Sequence, residues 1–314
     1  MKIPSKYITG SILIIAALVA VTFFTDYETP VRKVERIRHE KMLNAFRNVK
    51  LSAEAAVVYA PNTREIIYSK NATSSKPLAS IAKLATTYVA LDILDQESYI
   101  KIEKTDLLPE GDVGIRPGDY FKVKDLIDIM LVASSNDAAE AVGRVTNERL
   151  QLTNATSTVF SELAKMTAKD NIDNIKLQSF SGLDINNSVP TAYGSPLSIA
   201  KLLSSLIRNH LGNLEASREP NITRKSLSGI SISLKNTNIS VNEIPSLIAS
   251  KTGYTDTAGG NLAIAFNIDL TTPIVIVVLG SENQETRFED VKKLIEATQG
   301  YYLGPQEAAL YLSL

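Results

Sequence analysis

Residues 76–84 of the chain read KPLASIAKL, and this stretch decides how the rest of the sequence is interpreted. Ser80 and Lys83 stand three residues apart at the start of an apolar periodic segment that predicts a helix over residues 80–94. On a helix, this spacing places a hydroxyl and an amine on one face. Because a lysine with a lowered pKa can accept the proton of a serine hydroxyl, the pair is a candidate for nucleophilic catalysis.

The spacing alone is not specific, because it occurs three times: Ser80–Lys83, Ser98–Lys101 and Ser198–Lys201. The first copy differs in its position at a helix start, where free N–H groups and the helix dipole favour negative charge and could hold an oxyanion. The alternative for Ser80 is a plain helix N-cap.

Two further fragments carry polar side chains at breaks between elements. Residues 134–136 read Ser-Ser-Asn between helices predicted at 123–132 and 137–150, and by themselves they indicate an N-cap and a turn. Residues 251–253 read Lys-Thr-Gly at the end of a strand predicted at 246–251. Glycine there lets a ligand approach the backbone, while lysine and threonine offer donors to a carboxylate; the alternative is an ordinary strand end.

Composition excludes several classes of function. The 314 residues include 33 basic and 34 acidic side chains, two histidines and no cysteine. A net charge of −1 argues against a nucleic-acid partner, whose binding depends on neutralising phosphates. Without cysteine there is no thiolate nucleophile or cysteine-bound zinc, and His39 and His210 receive no role. We predict no metal and no cofactor, and we expect a base other than histidine.

The order of predicted elements indicates an α+β fold. A strand hairpin at 55–59 and 66–68 precedes the helices, which include a further one at 198–207. Strands at 246–251, 261–268 and 273–279 follow, and a helix over 287–297 ends the series. Short connections between neighbouring strands favour antiparallel pairing.

The N-terminal region predicts a membrane segment. Residues 8–24 form an apolar run long enough for one spanning helix, and we favour an uncleaved anchor within residues 1–25 over a cleaved signal peptide. Residues 26–50 read as a charged, partly helical linker, 51–302 as one continuous domain and 303–314 as a short tail. The basic residues after the span conflict with the positive-inside rule, so charge does not assign topology.

Taken in order, the three motifs resemble those of the low-molecular-mass penicillin-binding proteins, the serine-type D-Ala-D-Ala carboxypeptidases of the S11 peptidase type. The resemblance covers most of residues 51–302. Beyond the three motifs, it includes the segments IRPGD at 115–119, LVASSNDAA at 131–139, SGLD at 181–184, NTN at 236–238, SKTGYTD at 250–256, AGGNL at 258–262, VLG at 278–280 and RF at 287–288.

The resemblance implies a β-lactamase/transpeptidase-like fold, in which an antiparallel sheet packs against helices and the active site lies between the sheet and an all-helical lobe. It further implies that Ser80 attacks the carbonyl of the penultimate D-alanine while Lys83 takes the hydroxyl proton. Ser134 would relay a proton to the leaving amine. Asn136 would hold Lys83 in place and hydrogen-bond the substrate backbone.

The same resemblance implies the substrate-binding residues. Lys251 would keep the site electropositive and help hold Lys83 neutral. Thr252, beside Gly253, would bind the terminal carboxylate together with Arg287, for which a surface helix position is the alternative. The backbone N–H groups of Ser80 and Tyr254 would form the oxyanion hole.

The implied partners are peptidoglycan stem peptides ending in D-Ala-D-Ala, β-lactams as covalent inhibitors, and the cell membrane through the N-terminal segment. The domain is expected outside the cytoplasm, or secreted if that segment is cleaved. Three alternatives stay open: a D,D-endopeptidase, a class A-like β-lactamase and a non-catalytic peptidoglycan-binding scaffold. Against the β-lactamase, no Glu-x-x-Leu-Asn segment occurs between Asn136 and Lys251. The intact set of polar residues argues against the scaffold.

Overall fold

The computed structural model describes residues 29–108, 110, 113–186 and 188–303, and the chain divides into two compact units, 1–47 and 48–314. In the first unit, helix α1 spans Pro30–Phe46, with the Thr29 side chain accepting a hydrogen bond at its N-terminus. The membrane segment predicted at 8–24 lies outside the described residues. Of the helices in the described ranges, none combines the length and the apolar character that a bilayer span requires.

The second unit contains short and long strands joined by helices. The strands are β1 (Ala55–Ala60), β2 (Glu65–Lys70), β3 (Lys76–Pro77), β4 (Tyr99–Lys101), β5 (Tyr120–Lys122), β6 (Lys176–Leu177), β7 (Ala192–Gly194), β8 (Asn221–Lys225), β9 (Ser231–Lys235), β10 (Leu247–Thr255), β11 (Gly259–Asn267) and β12 (Pro273–Ser281). The helices are α2 (Ala82–Ile93), α3 (Val123–Val132), α4 (Asn136–Thr153), α5 (Val159–Lys169), α6 (Pro196–His210) and α7 (Thr286–Leu303).

The central sheet has five antiparallel strands in the order β10-β11-β12-β1-β2. The predicted hairpin becomes β1 and β2, and the three later strands become β10, β11 and β12, so the antiparallel α+β prediction is confirmed. The first and last strands in the chain meet at the β1–β12 pair. Strand β10 lies at the edge, where its outer backbone groups are open to an added strand.

Both faces of this sheet are covered, which explains why its inner strands are continuously apolar. Val275, Val277 and Leu279 of β12 belong to the same core as the buried residues of α6. The alternate residues of β12 point to the opposite face, where α7 packs on β11 and β12. The sheet is therefore the middle of three layers.

The helical lobe is built around α2, which contacts α4 and α5 as well as the first turn of the serine segment. Every residue from Ala82 to Leu91 is buried, so α2 is enclosed on all sides rather than along one stripe. Helices α3 and α4 pack on each other and complete the lobe. The site residues lie where this lobe meets β10.

One prediction of local structure needs correction, and two elements were not predicted. The helix predicted over 80–94 begins as a 3-10 turn, Ala79–Ile81, before α2 starts at Ala82. Helix α5 was not predicted, because only Val159, Leu163 and Thr167 of its residues are buried. The β8–β9 hairpin was also missed, since its strands are short and mostly polar.

Candidate functional site

The turn that carries Ser80 is held from two sides. Ala79, the residue before Ser80, has a φ of 46°, a left-handed conformation that costs a non-glycine residue about 1 kcal/mol. The Asn261 side-chain nitrogen donates to the carbonyl oxygens of Pro77 and Leu78, at 3.0 Å each. The N-cap of α2 is Ile81 and no side chain caps it, so the alternative that made Ser80 an N-cap is wrong.

Close backbone packing also brings β10 against this turn. A Cβ atom on Gly253 would lie 2.8 Å from the Leu78 carbonyl oxygen and 3.1 Å from the Ile81 nitrogen. Glycine is therefore required at 253 for the strand to approach the serine. Gly182 has a φ of +77°, and a Cβ there would lie 2.1 Å from the Ala79 oxygen, so a second glycine packs on the same turn.

Lys83 lies one turn further along, completely buried. Its Nζ donates to Ser80 Oγ at 2.7 Å, to Asn136 Oδ1 at 2.8 Å and to the Ser181 carbonyl oxygen at 2.9 Å. Burial lowers the pKa of Lys83 to about 7, and the negative charge of Glu140 partly opposes that shift. A substantial fraction of Lys83 is therefore neutral near pH 7 and able to accept the proton of Ser80.

The three residues of the Ser-Ser-Asn fragment have different roles. Ser135 is the N-cap of α4, its hydroxyl accepting from the Ala138 nitrogen at 3.2 Å. Ser134, with a φ of 60°, does not cap the helix, and its hydroxyl accepts a hydrogen bond from Lys251 Nζ at 2.8 Å. Asn136 begins the helix and holds Lys83. The fragment thus contains both the cap and two site residues.

Lys251 on β10 is almost completely buried, and its Nζ also donates to the Thr252 carbonyl oxygen at 2.8 Å. Burial lowers the pKa of Lys251 well below its usual value, and the charges of Lys83 and Arg287 lower it further. For Lys83, by contrast, the cause of the lowered pKa is burial. Repulsion between the two buried ammonium groups acts on both, and the expectation that Lys251 helps hold Lys83 neutral stays a prediction.

Arg287 is buried at the start of α7 and is not a surface residue. Its Nη1 donates to the Gly253 carbonyl oxygen at 2.9 Å, and its guanidinium lies 4.8 Å from the centre of the Phe288 ring. Burial lowers the pKa of Arg287 to about 10, which leaves it charged at neutral pH. Its Nε has no hydrogen-bond partner among the described residues.

The remaining predicted residues complete the wall formed by β10. Thr252 Oγ1 donates to Thr237 Oγ1 at 2.7 Å. The Tyr254 side chain is partly exposed and donates to Asp256 Oδ1 at 3.1 Å. Beside Tyr254 opens a cavity of about 260 Å³ whose lining includes Asp184 and Glu110. This space continues the line of β10 beyond the serine and has room for part of a peptide.

The nine predicted residues lie on the serine turn, α2, the start of α4, β10 and the start of α7, and hydrogen bonds connect some of them in two groups. Lys83 joins Ser80 to Asn136, and Lys251 joins Ser134 to β10. The sequence prediction gave no role to three supporting residues: Asn261, Ser181 and Glu140. The segments AGGNL and SGLD include Asn261 and Ser181 but indicated no role for either, whereas nothing local marked Glu140.

This arrangement suits acyl transfer. A hydroxyl hydrogen-bonded to a buried amine can become a nucleophile, because the amine can take its proton. A second hydroxyl, contacted by a second amine, lies on the other wall of the same cleft. An edge strand beside them can bind an extended peptide through backbone hydrogen bonds.

Comparisons with known proteins agree with this chemistry. A family model described as D-alanyl-D-alanine carboxypeptidase matches residues 42–283. The chain is 27% identical over 254 residues to a D-alanyl-D-alanine endopeptidase of Pseudomonas aeruginosa, covering 78% of this chain and 76% of that one. It is 28% identical over 213 residues to the D-alanyl-D-alanine carboxypeptidase DacB2 of Mycobacterium tuberculosis, covering 66% and 67%.

A solved structure supports the same assignment. Penicillin-binding protein D2 from Listeria monocytogenes, in its ampicillin-bound form, superposes with a TM-score of 0.67 and 28% sequence identity. The match covers 80% of this chain and 98% of that one. The antiparallel sheet and the helical lobe are thus those of a known fold, and the chain belongs to the D-alanyl-D-alanine carboxypeptidase family.

Proposed function

We propose that the protein is a serine-type D-Ala-D-Ala carboxypeptidase, which removes the terminal D-alanine from peptidoglycan stem pentapeptides through an acyl-enzyme. The observation that carries the proposal is the contact between buried Lys83 and Ser80, 2.7 Å long, with a lysine pKa of about 7. Family membership supplies the substrate class.

In the first half of the reaction, neutral Lys83 accepts the proton of Ser80, and Ser80 Oγ bonds to the carbonyl carbon of the penultimate D-alanine. The backbone N–H groups of Ser80 and Tyr254 receive the resulting oxyanion, and donors of this kind are each worth roughly 3 kcal/mol in other hydrolases. When the oxyanion collapses, the C–N bond breaks and the terminal D-alanine leaves. Its amine takes a proton through Ser134, which lies between Lys251 and the cleft.

In the second half, water attacks the ester carbonyl and Ser80 Oγ is released with a proton returned to it. Thr252 and Arg287 are proposed to recognise the terminal carboxylate of the substrate. The positive charge of Arg287 would attract the carboxylate. Its hydrogen bond to the Gly253 carbonyl oxygen would also hold β10 in position. Asn136 would bind the substrate backbone while holding Lys83.

β-Lactams are proposed to acylate Ser80 by the same route, since a strained cyclic amide can replace the peptide. Because peptidoglycan lies beyond the cytoplasmic membrane, we place the catalytic domain, residues 51–302, outside it. The apolar segment 8–24 would anchor the chain to the membrane, with 26–50 as linker and 303–314 as tail; cleavage of that segment would release a secreted form.

Labelling with a fluorescent penicillin tests the proposal. The parent chain is expected to form a covalent adduct that is lost in Ser80→Ala and Lys83→Ala. Ser98→Ala is the matched control, because Ser98 begins another Ser-x-x-Lys copy and its hydroxyl contacts only the Asp95 carbonyl. A parent chain that never labels would support the non-catalytic scaffold instead. Rapid turnover of penicillin would support a β-lactamase.

A D,D-endopeptidase acting on cross-links is the second candidate, favoured by the likeness to the endopeptidase of Pseudomonas aeruginosa. Both activities use the same nucleophile and base. They are distinguished by comparing D-alanine release from a pentapeptide with cleavage of a cross-linked dimer. Preferred release of D-alanine identifies the carboxypeptidase, and preferred cleavage of the dimer identifies the endopeptidase.

A further inference from the structure

A second cavity, of about 530 Å³, lies at the opposite end of the sheet from the serine. The turn between β1 and β2, the segment after α5 and the C-terminal half of α6 form its walls. Pro273, at the start of β12, lines it, whereas Ser281, at the end of β12, pairs with Gly260 near the catalytic cleft. Eight residues of strand separate the two, about 26 Å. The cavity is therefore distinct from the site described above.

Positive charge predominates in the walls of this cavity. Arg64 comes from the β1–β2 turn, and Lys201 and Arg208 come from α6. Both arginines are exposed, and neither makes a hydrogen bond or a close ion pair within the described ranges, although the charge of Arg208 acts on Asp170. Lys201 Nζ donates to the Asn171 carbonyl oxygen at 2.8 Å, which uses one of its three N–H groups. Three cations from two elements thus surround one concave space.

A single acidic side chain, Asp170, lines the cavity. Its Oδ2 accepts from Tyr88 Oη at 2.8 Å and from Ser205 Oγ at 2.6 Å, and these bonds stabilise the ionised form. The pKa of Asp170 is lowered, with the Ser205 hydrogen bond as the largest cause. Its one negative charge balances one of the three cations, so the lining keeps a net charge of +2.

Tyr59 adds a hydrogen-bond donor to the cavity lining. Its side chain is only 6% exposed, and its hydroxyl makes no hydrogen bond with any described residue. A ligand bound in the cavity could accept from this hydroxyl. Arg64 and Arg208 are close enough to lower the pKa of this hydroxyl, although burial raises it more. A donor and two guanidinium groups therefore face the same space.

Arg64 is fixed by the turn between β1 and β2. It has a φ of 57°, in the left-handed region that is common in tight turns. The turn places the Arg64 side chain at the cavity.

We propose that this cavity binds a phosphate-bearing ligand, with Arg64, Arg208 and Lys201 neutralising the phosphate and the Tyr59 hydroxyl donating to it. A carboxylate carries one charge and is satisfied by one arginine, whereas a phosphate matches two guanidinium groups and further donors. The ligand is either a free phosphate monoester or a phosphodiester such as a lipid headgroup. Both ligands carry the phosphate group that the cavity would bind.

The experiment titrates the full chain, in a non-ionic detergent without phosphorus, and follows ³¹P NMR shifts. Inorganic phosphate represents the free phosphate, and glycerophosphoglycerol represents the headgroup of an anionic lipid. Arg64→Gln and Arg208→Gln are each expected to weaken binding about tenfold, and Tyr59→Phe about fivefold. The matched control is Arg149→Gln, which removes an exposed arginine of α4 with the same change of charge.

Saturable binding of either compound, weakened by the cavity variants and unchanged in Arg149→Gln, supports the proposal, and the compound that binds identifies the source of the phosphate. Penicillin labelling of each variant should equal that of the parent, which shows that the fold is intact. The proposal is overturned if neither compound saturates at about ten millimolar. It is also overturned if acetate competes as well as phosphate, or if the control weakens binding equally.

Discussion

Lys83 Nζ lies 2.7 Å from Ser80 Oγ at a position where the lysine has no exposed surface. The distance allows direct proton transfer, and the burial makes the neutral amine accessible near pH 7. Hydroxyl and amine come from adjacent turns of the same segment, so their contact does not depend on substrate.

The first prediction concerns pH. Only neutral Lys83 can accept the serine proton, so the rate of acylation by a fluorescent penicillin should rise with pH and level off above about 7, the pKa of Lys83. Below that value the rate should fall about tenfold per pH unit. Stopped-flow labelling of the full chain measures the profile. A rate that is constant from about pH 5 to 8 would mean that another group is the base.

Glu140 should set the position of that profile. Its negative charge raises the pKa of Lys83, opposing the effect of burial. Glu140→Gln should therefore lower the pKa of Lys83 and move the acid limb of the acylation profile to lower pH. Glu148→Gln, on the same helix and paired with Arg144, is the control and should leave the limb in place. A limb that moves to higher pH in Glu140→Gln would contradict the assigned interaction.

Gly253→Ala should separate β10 from the serine turn. The added Cβ would lie 2.8 Å from the Leu78 carbonyl oxygen, so the strand must shift by several tenths of an ångström. We expect a loss of acylation rate of about 100-fold, because small displacements of reacting groups are costly. Gly300→Ala on α7 is the control. It meets no atom within 4 Å and should add up to about 1 kcal/mol of stability without changing acylation.

Circular dichroism should show the same secondary structure in both glycine variants. If Gly253→Ala acylates at the parent rate, the close approach of β10 to the serine turn has no catalytic value.

Thr252→Val should lower recognition of the terminal carboxylate. The substitution keeps shape but removes a hydroxyl, so kcat/KM for a peptide ending in D-Ala-D-Ala should fall about tenfold or more. The same peptide ending in an amide should be affected little. Thr223→Val, on the exposed face of β8, is the matched control. An equal loss on both peptides would indicate damage to the cleft rather than to carboxylate binding.

The sequence predicted much of the fold because apolar periodicity is a local property. The β1–β2 hairpin and strands β10 to β12 were found within one to four residues of their ends. The 3-10 turn at Ala79–Ile81 was not predicted, because its geometry follows from packing against Asn261, Gly182 and Gly253, which lie far away in sequence. Helix α5 buries too little apolar surface to produce a clear pattern.

For the site, the order of three short motifs predicted seven residues, and the longer resemblance around them added Tyr254 and Arg287. It did not indicate that Ser135, rather than Ser134, caps α4. Nor did it find Glu140, which acts on Lys83 through space from a separate helix.

The sequence by itself determined which chemical groups are present, their order along the chain and the alternation of apolar segments that forms the sheet and helices. Only the tertiary structure decided the burial that lowers the pKa of Lys83 and distinguishes this Ser-x-x-Lys copy from the other two. Ser98 contacts the backbone of its own turn, and Lys201 lines the distant cavity. Lys83 alone of the three lysines is completely buried, and a pKa is lowered by the low-dielectric surroundings that burial creates, not by the spacing of residues along the chain.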